Sequence, residues 1–122
     1  MHILTLNFSR YRNDRKIMEV MEKFKRYNID IYCIQEIDVD SALKCFQSDF
    51  QVIVNWDLAS KSRVGIVMLI KNGLKIKDTI LVSNGRIIGA KIIIYKYEMY
   101  ILNLGHYFER KEKCFSQKLS VT

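Results

Sequence analysis

Proline is absent from this 122-residue chain, although ordinary usage is about 5%. The gap marks a composition biased toward isoleucine and lysine. Long apolar runs are missing as well. No stretch approaches the roughly 18 residues that a membrane span requires. The first residues lead straight into a strand-like segment, so no signal peptide is expected. Only three cysteines occur, Cys33, Cys45 and Cys114. An odd number without metal-ligand spacing excludes a disulfide framework and a zinc knuckle, and it points to a reduced, intracellular protein, nuclear or cytoplasmic. Linkers, internal repeats and low-complexity segments are also lacking. What remains, 49% hydrophobic and 27% charged residues, is the composition of one ordinary globular domain.

Acidic residues become scarce in the second half. Residues 1–61 hold nine Lys/Arg against nine Asp/Glu, whereas residues 62–122 hold eleven against four. The whole net charge of +7 therefore sits on one side of the sequence. Such a balance favours a polyanionic partner, DNA or another nucleic acid, through phosphate contacts and counterion release. A mildly basic soluble domain would show the same balance.

Residues 2–7 are mostly apolar, as a buried central strand would be. Asn13 or Asp14 can cap the helix that follows, in which Ile17, Val20, Met21 and Phe24 recur on one stripe until near Asn28. Residues 29–35 form a second short apolar strand, giving a βαβ unit with parallel strands in one sheet. A short helix at 41–47 and a strand at 51–56 come next. After the polar loop 57–63 the texture turns to strands alone: 64–70, 75–82, 86–95 and 99–104. Asn72-Gly73 and Asn84-Gly85 have the chemistry of hairpin turns, and residues 96–98 turn the last pair. An antiparallel meander added to the first sheet is the expected result, in an α/β (α+β) fold.

Asn7 closes the first strand and Glu36 the second. In a βαβ unit both emerge at the carboxyl ends of the strands, where open α/β sheets bind ligands. An amide oxygen and a carboxylate there are hard ligands that suit Mg²⁺. A solvated strand end is the other reading of a lone glutamate at such a position. Gln35 points to the opposite face and could orient its neighbours.

Five motifs extend this picture. They are Leu4-Thr5-Leu6-Asn7-Phe8-Ser9, Asp30-Ile31-Tyr32-Cys33-Ile34-Gln35-Glu36, Val64-Gly65-Ile66-Val67-Met68-Leu69-Ile70-Lys71, Asn84-Gly85-Arg86-Ile87-Ile88 and Tyr100-Ile101-Leu102-Asn103-Leu104. In order and spacing they resemble the N-terminal half of the endonuclease/exonuclease/phosphatase (DNase I-like) family, closest to the endonucleases of LINE-type retrotransposons and to apurinic-apyrimidinic endonucleases. The resemblance implies a Mg²⁺-dependent phosphodiester endonuclease acting on DNA. It makes Asn7 and Glu36 the metal-side catalytic pair, with Gln35 a partner behind them. Arg10, Lys71 and Arg86 are the candidate phosphate or nucleic-acid contacts.

Departures from the pattern are as informative. The family's Thr after the Glu is Ile37 here, and the Gly of its first loop is Arg10. Its catalytic-site Tyr falls on Gly105 and the following Pro on Tyr107. Neither an Asp-x-Asn nor a Ser-Asp-His motif occurs in the 122 residues; in the family these supply the phosphate-holding Asn and the general base. His106 and Tyr107 are the remaining candidates for that space. The expected function is a truncated or degenerate relative that is not catalytic alone; the alternative is a non-catalytic nucleic-acid-binding or protein-interaction module.

The family fold is a four-layer α/β/β/α sandwich, of which this chain would supply one mixed sheet and its helices. The strand at 86–95 is apolar on both sides, Ile88, Ala90, Ile92 and Ile94 against Ile87, Gly89, Ile93 and Tyr95. One of these faces is then expected bare and prone to self-association or partner binding.

Overall fold

The structure is a computed structural model and describes residues 1–11, 13–82, 84–105 and 120–121. Strand β1 (Ile3–Tyr11) leads through helix α1 (Asp14–Glu22) into β2 (Ile31–Asp38). Helix α1 starts where Asn13 Oδ1 accepts the backbone N–H groups of Arg15 and Lys16, two of the donors that a helix start leaves without partners. Its Ile17 and Met21 are buried, as the apolar stripe predicts. A 3-10 turn at Lys25–Tyr27 ends on Asn28, whose left-handed backbone (φ 56°) stops the helical stretch. β1 and β2 pair in parallel, from Ile3 opposite Ile31 to Asn7 opposite Gln35. The βαβ start is present.

Helix α2 (Val39–Phe46), β3 (Phe50–Trp56) and β4 (Val64–Lys71) follow. The Asp38 carboxylate caps α2 by accepting the Ser41 N–H. The strands complete a mixed sheet in the order β1-β2-β4-β3, with β4 antiparallel to both neighbours. Both helices lie on one face, where Phe8, Ile17, Met21, Tyr32, Ile34, Phe46 and Leu69 form a core.

Strands β5 (Lys75–Val82), β6 (Ile87–Ile94), β7 (Tyr97–Leu104) and β8 (Ser120–Val121) form a second, antiparallel sheet. This corrects the expectation that the meander extends the first sheet. β4 already has β2 on one edge and β3 on the other, so the next strand cannot pair with the strand it follows. Asn72-Gly73, with Gly73 at φ 103°, therefore carries the chain from one sheet to the other and is not a hairpin. Asn84-Gly85 does close a hairpin, with φ of 43° and 88°. The last turn falls at Tyr95 and Lys96, because Ile94 already pairs with Tyr97.

The second sheet folds back over the first. Ile88, Ala90, Ile92 and Ile101 pack against Ile31, Cys33, Ile66, Met68 and Ile70 in a second core. Of the two faces of β6, one of which is expected bare, the Ile88/Ile92 face is covered by the chain's own first sheet. Three layers result, helices, mixed sheet and antiparallel sheet, and the outer face of the last carries half-buried Ile87 and Ile93. Among the described residues no helix is long and apolar enough to cross a membrane.

Candidate functional site

Two ladders lose register at the same point. β1 and β2 pair regularly up to Asn7–Gln35 and resume only at Tyr11–Ile37, so residues 8–10 stand opposite Glu36 alone. On its other side β2 jumps from Ile34–Val67 to Ile37–Gly65. Glu36 sits at this double break with φ 54°, and Ser9 and Arg10 across from it have φ 52° and 69°. Left-handed backbone at non-glycine residues costs on the order of 1–3 kcal/mol each and clusters where a side chain must be held in an unusual direction. Bulges re-aim side chains in the same way.

The result brings the two sequence candidates together. Asn7 Nδ2 donates to Glu36 Oε2 at 3.3 Å, at the carboxyl ends of the parallel strands. Asn7 Oδ1 is turned the other way and accepts the Ser9 N–H at 2.8 Å. Asn7 thus steadies the carboxylate and the bulge at once. Gln35 turns to the opposite face, as its place in the strand predicts. It is 5% exposed and points between the sheets, where its Nε2 reaches Asn103 Oδ1 (2.8 Å), Thr5 Oγ1 (3.1 Å) and Cys33 O (3.2 Å). Asn103, fully buried, returns Nδ2 to Val67 O at 2.9 Å and Ile34 O at 3.2 Å. The pair is a polar rivet between the sheets, behind the strand end that carries Glu36.

In front of Glu36 opens a cleft of about 470 Å³, lined by Arg10, Glu36, Asp57, Ser60, Ser62 and Arg86 with Gly65, Gly85 and Gly105. Arg10 comes from the bulge of β1 and Arg86 from the end of the β5–β6 turn. That turn is pinned by Asn55, whose Oδ1 accepts the Gly85 N–H at 3.1 Å and whose Nδ2 donates to Ile87 O at 3.0 Å. Gly105 donates its N–H to Arg86 O; a Cβ there would lie 2.9 Å from Gly85 O, so the strand ends close up only around glycine. Arg10 and Arg86, the candidate phosphate contacts, line the same cleft as Glu36. The sequence leaves Asp57, Ser60 and Ser62 as a plain polar loop, and nothing in their spacing marks them as lining a cleft.

Lys71, the third candidate contact, lies elsewhere. β4 runs antiparallel to β2, which puts Lys71 at the far end of the sheet, 3.5 Å from Asp30 and away from the cleft. His106 and Tyr107 lie outside the described residues. Among the described residues of the second half, Lys77 and Lys91 both pair with Glu98, at 2.7 and 3.0 Å.

Among the described residues no three His, Cys, Asp or Glu side chains gather closely enough to cage a metal. Glu36 and Asp57 are the two carboxylates that line the cleft, and a hydrated Mg²⁺ is the kind of cation that takes one or two carboxylates and keeps its waters. Neither the known protein-family models nor the curated proteins match this sequence.

Proposed function

We propose that this chain is a degenerate relative of the Mg²⁺-dependent phosphodiester endonucleases, one that binds nucleic-acid phosphate in the Glu36 cleft and does not cleave it alone. One observation carries the reading. Glu36 is held in left-handed backbone at a double register break, steadied by Asn7, in a cleft that also presents Arg10 and Arg86. The carboxylate would hold the cation, and the cation when bound would offset phosphate charge. The two guanidinium groups are suited to phosphate oxygens, since their planar forks match that geometry. In the family that the sequence resembles, the Asp-x-Asn and Ser-Asp-His motifs carry the general base, a group worth roughly 10²–10⁴-fold in rate, and neither motif occurs among these 122 residues.

Fluorescence anisotropy with a labelled DNA duplex, over a range of salt and with Mg²⁺ or EDTA, tests the binding. Arg10→Ala and Arg86→Ala should each weaken binding and lower the salt slope by about one. Glu36→Gln should remove the response to Mg²⁺. Binding that ignores all three substitutions would refute the site. Nicking of supercoiled plasmid by the wild-type chain, lost in Glu36→Ala, would refute the claim that it does not cleave.

A further inference from the structure

Strand β5 lies at an open edge, with β6 as its one partner among the described residues. Its two halves differ. In the first, Lys75 and Lys77 carry charge and the register shifts between Ile76 and Asp78; edge lysines and bulges both oppose pairing with another chain. In the second, Thr79, Ile80, Leu81 and Val82 run without charge, proline or irregularity, and Ile80, Leu81 and Val82 are 48%, 54% and 40% exposed. The apolar surface continues on both sides of this edge. Leu81 overhangs β3 and shares a groove of about 360 Å³ with Trp56 and Leu58. On the outer face Ile80 and Leu102 both stand opposite Gly89, where an added Cβ would touch each of them.

We infer that residues 78–82 of β5 pair with the same residues of a second copy of this chain, joining the two antiparallel sheets into one. Antiparallel pairing about a two-fold axis at Ile80 sets Ile80 against Ile80, Thr79 against Leu81 and Asp78 against Val82. Side chains alternate along a strand, so inner residues meet inner ones and outer meet outer. Charge decides the orientation. In-register parallel pairing would set Lys75, Lys77 and Asp78 each against its own copy, which like-charge repulsion disfavours. The two-fold arrangement opposes no like charges and leaves both lysines outside the paired residues. It also closes on itself, as two-fold interfaces do.

Sedimentation velocity of the full chain across 1–100 µM tests the pairing, with the concentrations chosen to bracket ordinary affinities. The wild-type chain should shift from monomer to dimer. Ile80→Lys, at a half-exposed site, should stay monomeric with unchanged circular dichroism and melting temperature. With Cys45 and Cys114 replaced by serine, Ile80→Cys should oxidise to a disulfide dimer, because residues on the axis bring their Cβ atoms within disulfide range. Lys75→Cys in the same background should not. A wild-type monomer at 100 µM overturns the proposal, even if it captures some other extended peptide. So does a dimer that Ile80→Lys leaves intact, or one in which Lys75→Cys cross-links as well as Ile80→Cys.

Discussion

Glu36 and Asn103 show two ways in which a single residue can be costly to change. Glu36 is strained: its φ of 54° suits glycine, so Glu36→Gly should leave stability unchanged or raise it by up to about 1 kcal/mol while removing the Mg²⁺ response. Denaturant unfolding measures the first and anisotropy the second. A loss of more than about 1 kcal/mol would mean that the carboxylate contributes to folding, against the pattern of strain held for function. Asn103 is the reverse, a buried amide with every contact inward. Asn103→Ala would leave the Gln35 amide and the carbonyls of Ile34 and Val67 short of a partner. Each buried polar group so stranded costs about 1–3 kcal/mol, and a loss of at least about 2 kcal/mol is expected in the same unfolding experiment. The sequence marks Asn7 and Glu36 because they close strands that run in parallel. It cannot mark Asn103, whose partners lie 36 to 69 positions away and on the other sheet.

At the scale of elements, local signals and the parallel β1–β2 pairing read correctly, and the sheet to which the meander belongs did not. The stripe of Ile17 and Met21, the cap at Asn13 and the turn at Asn84-Gly85 are settled by neighbours in the chain, and each appears where periodicity or turn chemistry places it. Asn72-Gly73 has the same turn chemistry and does something else, because the filled edges of β4 lie outside any local window. The antiparallel sheet also carries a cross-strand charge cluster, which makes its acid stability predictable. Glu98 is held below the ordinary carboxylate range by hydrogen bonds from Lys77 and then Lys91. A depressed folded value means that this stabilisation is present above the unfolded pKa, about 4.3, and is lost as pH falls through the folded value. Melting temperature should therefore drop as the wild-type chain is taken below pH 4. Glu98→Gln should flatten that limb of the profile, since its amide does not titrate. A profile identical to wild type would show that the exposed cluster contributes nothing measurable, as isolated surface pairs often do.

For the whole molecule, the decisive feature is that both sheets share one interior. A bare Ile88/Ile92 face would leave apolar side chains in water. Instead Ile88, Ala90, Ile92 and Ile101 are at most 1% exposed, packed on the strands of the mixed sheet and tied to it by the Gln35–Asn103 rivet. A sandwich built this way should unfold as a unit, because neither sheet keeps a buried face without the other. Native-state hydrogen exchange can resolve this strand by strand. Amides of Cys33 and Met68 in the first sheet should exchange with the same free energy as those of Ala90 and Ile101 in the second, equal to the global value from denaturant. Amides on the free edge of β5 should exchange much faster at low concentration. Ile92→Ala, a cavity between the sheets worth about 2–5 kcal/mol, should lower protection in both sheets by one amount. If it lowers protection in the second sheet alone, and Cys33 and Met68 keep their wild-type values, the two sheets are separate folding units and the shared interior does not hold the molecule together.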